Sequence, residues 1–352
     1  MITDGLTGVA PSPTAAQRRT RMLDRGLARP SSAAVAGLLV AVVLFGALVP
    51  QLLTAGGLAG VLDVAATLGI GAVAVALLLV AGEFDFSVGV VAAASALVTA
   101  YLVSQSGWGI WPALLGSLSV ALLVGAINGV LVVNTGLPSF LVTLATLLVL
   151  QGLASTGISV LAESGRVEAL GEAAGWPAAE LFFASSVQIG DGTFRVSLLW
   201  WLGATALATW ALWRTRFGNG LFAIGGARRA ATELGVSVRR TTVALFCLTA
   251  TAGWLIGTLA VVRLGAVQVV PSLGSSIDYL VVAVIGGCLL TGGWGSAVGA
   301  AVAALVYAVM RQGITLAGWE PQWFQILLGL LLLVALVANG VVRRRLQAAP
   351  RS

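Results

Sequence analysis

Four acidic side chains lie in or beside long apolar stretches of the sequence, where an ionised group is least expected. These residues are Asp63, Glu83, Asp85 and Asp278. A charge at the centre of a lipid bilayer costs about 2.5–3.5 kcal/mol on insertion scales, so acids in such stretches usually face a protein interior or an aqueous cavity. The four residues are therefore candidates for lining a solute path or for gating it.

Helix capping is the competing interpretation for two of these acids. Asp85 precedes a predicted helix that starts near residue 87, and Asp278 stands at the start of another. A carboxylate in that position accepts hydrogen bonds from free backbone N–H groups and interacts favourably with the helix dipole. Capping is the favoured prediction for both residues, and a direct role in gating is the alternative. Asp63 lies near one end of its predicted helix and could face a wet vestibule.

The sequence lacks two residue types on which many catalytic sites depend. It contains no His, and all 19 of its basic residues are Arg. A phosphate-binding P-loop needs its Lys, and a Ser-His-Asp triad or an HExxH zinc site needs His. Cys247 and Cys288 fall within apolar runs and are expected to be small packing residues. We therefore predict no catalytic residue, no cofactor and no metal site in this chain.

The composition is typical of an integral membrane protein. Hydrophobic residues make up 59% of the chain and charged residues 9%, with a mean hydropathy of +1.02. A soluble domain carries about 25% charged residues, so this chain has too little polar surface to cover itself in water. Several stretches also reach the ~20 apolar residues that cross a ~30 Å hydrocarbon core. The predicted fold is an all-α, polytopic transmembrane helix bundle in a lipid bilayer.

Apolar runs separated by short polar, Gly or Pro breaks predict about ten membrane helices. A transmembrane domain is expected over residues 31–342, between an N-terminal tail of residues 1–30 and a C-terminal tail of residues 343–352. The predicted helices cover residues 32–53, 58–81, 87–104, 110–133, from after Pro138 to about 160, 196–213, 241–262, 278–290, 295–312 and 321–341.

The arginines predict the orientation of the chain. Five precede residue 30, six lie between Arg214 and Arg240, and four follow residue 342. An excess of Arg marks cytoplasmic segments, so both tails and the 214–240 loop are predicted to be cytoplasmic. The 161–195 loop, which is rich in Glu and Asp, would then lie outside. Because the positive charge is explained by topology, binding to nucleic acid is not expected.

The 214–240 loop contains a candidate docking element. Residues 227–234 can form about two turns of an Ala-rich helix, with Gly235 positioned to end it. A short helix with small side chains suits a groove on a soluble partner, and the alternative is a surface helix that only keeps the loop inside by its charge. The residues predicted to couple to a partner are Gly225, Gly226, Ala230, Ala231, Glu233 and Gly235.

A Gly-rich stretch follows the predicted helix at 278–290. It contains Gly286-Gly287 and, a few residues later, Gly292-Gly293. Non-helical backbone at membrane depth survives only where protein or water satisfies the freed backbone groups. A tight hairpin between two ordinary helices is the favoured interpretation. A broken helix that lines a cavity near a solute path is the alternative.

Several of these stretches resemble one transporter family. Residues 81–89 (AGEFDFSVG), 128–133 (NGVLVV) and 138–144 (PSFLVTL) are similar to segments of the ribose-type permeases of bacterial ABC importers. The 217–240 loop resembles the cytoplasmic coupling segment of that family, and residues 278–296 resemble its late Gly-rich region. The resemblance is in the same order along the chain and extends over about residues 60–340.

The resemblance implies the membrane permease subunit of an ATP-driven importer of a sugar or similar small polar solute, in the bacterial inner (plasma) membrane. Such a permease is not itself an enzyme, because ATP hydrolysis belongs to a separate ABC ATP-binding subunit. The implied partners also include an extracytoplasmic solute-binding protein and a second permease copy. The candidates for the translocation path or its gating are Asp63, Glu83, Asp85, Ser87, Asn128 and Asp278.

The identity of the solute stays open on the sequence. Glu83 stands where the family commonly has an apolar residue, and Trp294 stands where Arg is frequent. Nucleosides, branched-chain amino acids and signalling furanosides are alternative cargoes within the family. An ion-coupled secondary transporter is the alternative from a different class, and it would normally carry ionisable residues deep within its helices.

Overall fold

The computed structural model describes residues 31–161, 166–168, 170–268 and 273–348, and the predicted N-terminal tail lies outside these residues. The described part of the chain contains 12 α-helices. They are α1 (Ser32–Leu48), α2 (Ala55–Val80), α3 (Val88–Ser104), α4 (Ile110–Thr135), α5 (Ser139–Leu161), α6 (Trp176–Phe183), α7 (Ser197–Arg214), α8 (Arg216–Glu233), α9 (Val238–Leu264), α10 (Leu273–Ile285), α11 (Ala297–Leu316) and α12 (Gln322–Ala348).

Helix α2 occupies the centre of the bundle, where it packs against α7, α9, α10 and α11. Its second half is almost entirely buried. Small residues make this packing possible, since a Cβ atom on Gly69 would overlap the Trp201 ring and one on Gly71 would overlap Tyr279. Helices α4, α5 and α12 lie at the periphery and expose apolar side chains, as helices in contact with lipid do.

Among the described residues, 6 helices are long and apolar enough to cross a membrane. They are α2, α4, α5, α9, α11 and the Gln322–Gly340 part of α12. Helices α1, α3 and the Gly274–Ile285 part of α10 are apolar but shorter. The predicted helical membrane bundle is therefore confirmed, whereas the number of crossings is still a prediction.

Proline and glycine move two helix ends away from their predicted positions. Helix α1 stops at Leu48 because the residue before Pro50 is disfavoured in the α conformation, and a 3-10 helix covers Pro50–Leu53. Helix α10 begins earlier than predicted and ends at Ile285, before Gly287 with its φ of +93°. Asp278 therefore lies in the middle of α10, so the predicted cap by this residue is wrong.

Four short strands were not predicted. Strand β2 (Ser186–Ile189) pairs antiparallel with β3 (Gly192–Arg195), which forms a hairpin ahead of α7. Strand β1 (Arg166–Val167) pairs antiparallel with β4 (Val267–Gln268), which ties the 161–195 loop to the segment after α9. Strands of two to four residues are too short to show an alternating pattern in the sequence.

Helix α8 is longer than the two turns predicted in the 214–240 loop. It starts at Arg216, where the Thr215 side chain accepts a hydrogen bond from the Gly218 N–H at 3.2 Å. The backbone at Ala227 leaves the helical region, with φ −159° and ψ 84°. This kink separates a first helical part from a short second part, residues 228–233, which is called the tip helix below.

Candidate functional site

Residues 83–89, which lead from α2 into the first turn of α3, form a polar segment buried inside the bundle. Glu83 is 5% exposed, Asp85 4% and Ser87 1%. Hydroxyl groups of α5 hold its backbone, because Phe84 N–H donates to Ser139 Oγ at 2.9 Å and Phe86 N–H to Thr143 Oγ1 at 3.1 Å. The chain thus places two carboxyl groups at a fixed position in its interior.

Asp85 is hydrogen-bonded through both of its carboxyl oxygens. Oδ1 accepts from the Ser87 N–H at 2.7 Å and from the Ser87 hydroxyl at 2.5 Å, and Oδ2 accepts from the Thr249 hydroxyl of α9 at 2.5 Å. Burial raises the pKa of the Asp85 carboxyl, and these hydrogen bonds oppose the rise. Asp85 thus accepts from a backbone N–H directly ahead of α3, as the capping prediction expects, and it also joins the segment to α9.

The hydrogen-bond network continues from Ser87 into the two peripheral helices. Asn128 of α4 donates from Nδ2 to Ser87 Oγ at 3.1 Å, and Thr146 of α5 donates to Asn128 Oδ1 at 2.6 Å. Asp85, Ser87 and Asn128 were predicted as candidates, and the structure brings these three together. The sequence analysis missed Thr146 and Thr249, although each is a polar residue in a largely apolar helix.

Glu83 links this segment to the 214–240 loop. Its Oε1 accepts a hydrogen bond from Arg228 Nη1 at 2.6 Å, and Arg228 is the first residue of the tip helix. The Glu83 side chain is 6% exposed and that of Arg228 is 47% exposed. The ion pair therefore connects a buried acid to a surface helix.

Glycines from three segments meet beside this ion pair. Gly82 follows α2, Gly225 and Gly226 precede the kink in α8, and Gly292 and Gly293 belong to the loop between α10 and α11. The group is called the glycine junction below. Its backbones are in direct contact, since Gly293 N–H donates to Val80 O at 2.8 Å and a Cβ atom on Gly225 would overlap that same oxygen. The Gly-rich stretch is thus a turn packed on protein, in agreement with the hairpin interpretation.

The tip helix ends as its glycine predicts. Gly235 has a φ of +83°, which favours Gly, and two hydrogen bonds close the end: Gly235 N–H to Thr232 O and Val236 N–H to Ala231 O, both at 3.0 Å. These bonds form a Schellman motif. The helix accordingly forms a defined surface element of the 214–240 loop.

The predicted coupling residues do not all face outward. Ala230, Glu233 and Gly235 are exposed, whereas Ala231 is only 2% exposed and packs within its own chain. Gly225 and Gly226 belong to the glycine junction, where Gly225 is partly buried and Gly226 is exposed. The surface open to a partner thus also includes Leu234, which is 82% exposed and was not predicted.

Two of the predicted path residues lie apart from the 83–89 segment. Asp278 of α10 accepts a hydrogen bond from the Tyr307 hydroxyl of α11 at 2.7 Å. Asp63 of α2 pairs with Arg263 at 2.8 Å, near the end of α2 that is opposite to Gly82. Among the described residues, no group of three or more His, Cys, Asp and Glu could hold a metal ion.

Helix α5 carries a polar stripe that the sequence analysis missed. Ser155 and Ser159 are exposed and Gln151 is partly exposed, and they recur every four residues on one face of the helix. Gln151 Nε2 donates to Ser155 Oγ at 3.5 Å. Polar side chains on a membrane helix usually face another protein surface or a water-filled cavity. The four-residue spacing was the signal that could have identified them.

Comparison with known proteins places these features in a family. The family model described as "Branched-chain amino acid transport system / permease component" matches residues 57–336. The chain belongs to this permease family. A fructose import permease protein, FrcC of Rhizobium meliloti, is 30% identical over 289 residues, which is 81% of this chain and 78% of that protein.

Two further relatives extend the comparison. The autoinducer 2 import system permease protein LsrD of Klebsiella pneumoniae is 30% identical over 320 residues, or 89% of this chain and 92% of its own. The ribose import permease protein RbsC of Escherichia coli is 26% identical over 304 residues, which is 86% of this chain and 91% of that protein. No solved structure gives a significant match. The predicted membership of the ribose-type importer permeases is confirmed, and this chain is a multi-helix membrane permease.

Proposed function

We propose that this permease is the membrane subunit of an ATP-driven importer that moves a sugar or a similar small polar solute inward. The relatives named for fructose and ribose import support the solute class. The observation that carries the proposal is the connection from the exposed tip helix, through Arg228 and Glu83, to the buried 83–89 segment. A partner that moves the tip helix would thereby act on the interior of the bundle.

The proposed ATP-binding partner docks on the exposed face of the tip helix. Ala230, Glu233, Leu234 and Gly235 form that face, with Gly226 at its base. Ala230, Gly235 and Gly226 have a methyl group or no side chain, so a groove on the partner can approach the backbone closely at these positions. ATP hydrolysis belongs to that partner, because this chain has no Lys for a P-loop.

A second permease copy is proposed to face the polar stripe of α5. Two such stripes would supply hydroxyl and amide groups to a path between the copies, next to the Asn128–Thr146 pair. An extracytoplasmic solute-binding protein would deliver the solute at the opposite end from the tip helix.

The test of docking uses substitutions on the exposed face. Ala230→Trp should reduce the copurified ATP-binding subunit by about tenfold, because the added bulk overfills the interface. Ala178→Trp is the matched control, since Ala178 is an exposed alanine on α6 in the 161–195 loop. Ala231→Trp is unsuitable, because the buried Ala231 would disturb the permease itself. If the ATP-binding subunit copurifies equally with Ala230→Trp, Gly235→Val and the wild type, the tip helix is not its docking site.

We also propose that the chain crosses the membrane ten times, with both termini in the cytoplasm. The described helices other than α6 and α8 number ten, which agrees with the even count that the Arg clusters require. Single cysteines at Glu180 and Ala230, in a chain with Cys247 and Cys288 replaced, should react with a membrane-impermeant maleimide from opposite sides. Labelling of both from one side of intact cells would contradict the ten-crossing topology.

A further inference from the structure

A cavity of about 290 Å³ with one charged wall lies between α2, α7 and α9, at the end of the bundle opposite to the tip helix. It falls just below the ~300–1,000 Å³ of pockets that hold drug-sized ligands, so it suits a smaller molecule. Its polar lining residues are Asp63, Thr67, Arg195, Ser197 and Arg263. In the proposed topology this end of the bundle faces the outer side, from which an imported solute arrives.

The charges in the cavity are not balanced one to one. Arg263 Nη1 lies 2.8 Å from Asp63 Oδ2, and Arg195 Nε lies 3.6 Å from the same oxygen. Two guanidinium groups therefore share a single carboxylate oxygen. The remaining N–H groups of the two arginines, which are 29% and 40% exposed, can donate to a ligand in the cavity.

Two polar atoms of the same wall lack a hydrogen-bond partner among the described residues. They are Asp63 Oδ1 and Ser197 Oγ, and Ser197 is 7% exposed. A buried polar atom without a partner costs free energy that a hydrogen bond would recover. An ion cluster that only fastened the β2–β3 hairpin to α2 and α9 would account for the arginines but not for these two atoms.

One wall of the cavity is aromatic. Phe183, the last residue of α6, lines it, and its ring stacks on Trp200 with centroids 5.5 Å apart and planes at 10°. The Trp200 indole N–H donates to Phe182 O at 2.9 Å, which fixes the stacked pair. Apolar C–H groups of a ligand can pack on such a ring while its polar groups point to the charged wall.

We propose that this cavity binds one molecule of a monosaccharide-sized polyol before it enters the translocation path. Hydroxyl groups both donate and accept, so they can donate to Asp63 and accept from Arg263 and Arg195, while the sugar ring lies against Phe183. The excess of one positive charge favours a sugar acid over the neutral sugar of the same shape. The inference rests on the proposed function, because it takes the solute to be a sugar.

The test measures binding to the purified permease, without a solute-binding protein. Equilibrium dialysis with labelled fructose, ribose, galactose and galacturonate should show saturable binding of at least one of these probes. Asp63→Asn and Phe183→Leu should each weaken that binding by about tenfold. Glu180→Gln is the control that should leave it unchanged, since Glu180 is an exposed acid on α6 outside the cavity. The Asp63→Asn protein could unfold because it loses the ion cluster. The Phe183→Leu variant leaves that cluster intact, so it tests the cavity independently.

Two results would overturn the proposal. One is the failure of all four probes to bind the wild type, and the other is wild-type binding by both cavity variants. ATP-dependent uptake by the assembled importer is measured separately. Uptake without binding to the isolated permease would contradict the cavity site but not the proposed function. Binding without ATP-dependent uptake would contradict the proposed function but not the cavity site.

Discussion

Gly225→Val is expected to prevent accumulation of folded permease. A Cβ atom at this position would overlap Val80 O and Gly293 N, which are backbone atoms of two other segments and cannot move aside independently. Overpacking of this kind typically costs about 1–3 kcal/mol, and a branched side chain against backbone from two sides lies at the upper end or beyond. The measurement is the thermal unfolding midpoint and yield of detergent-purified protein.

Gly226→Ala is the matched control for this prediction. A Cβ atom on Gly226 would meet nothing within 4 Å, although the residue is the immediate neighbour of Gly225. The variant should accumulate and unfold like the wild type. A Gly225→Val protein with normal yield and midpoint would show that the glycine junction tolerates bulk, and that the three segments do not pack as described.

Arg228→Glu is expected to cause the second large loss. It would place a carboxylate against Glu83, which is 5% exposed and pairs with Arg228. Breaking a fully buried pair costs about 3–5 kcal/mol, and the half-exposed Arg228 reduces this to about 1–3 kcal/mol. The unfolding midpoint should fall. The rate of solute uptake per folded permease should also fall, since the tip helix loses its connection to the 83–89 segment.

Two companion variants make this prediction specific. Arg229→Glu changes the same charge at the next, exposed position and should leave the unfolding midpoint unchanged. The double change Glu83→Arg with Arg228→Glu restores opposite charges and should recover part of the lost stability. If Arg228→Glu unfolds at the wild-type temperature, or if the double variant is no better than the single one, the ion pair does not connect the two elements.

Helix positions and helix ends were predictable because they depend on residues that are close together in the sequence. Apolar runs located the helices that became α2 to α5, and Gly235 marked the end of the tip helix through its positive φ. The predicted bounds of α10 were wrong. Helix α10 ends at Ile285, ahead of Gly287 with its positive φ, and its start at Leu273 places Asp278 in the helix interior and not at the first residue.

Contacts between distant residues could not be predicted from one sequence. Glu83 and Arg228 are separated by 145 positions, and Asp85 and Thr249 by 164. No periodicity links the members of either pair, so only the packing of α2, α8 and α9 brings them together. The inward direction of Ala231 likewise depends on the kink at Ala227, which neither composition nor spacing indicates.

Uptake by reconstituted vesicles tests the central claim most directly. The vesicles would contain the permease and the ATP-binding subunit, enclose ATP, and receive the solute-binding protein and labelled fructose, ribose or galactose from outside. We expect accumulation of one sugar that requires enclosed ATP and stops when the ATP-binding subunit is omitted. Accumulation by the permease alone, driven by a proton or sodium gradient and indifferent to ATP, would contradict the account and identify an ion-coupled transporter.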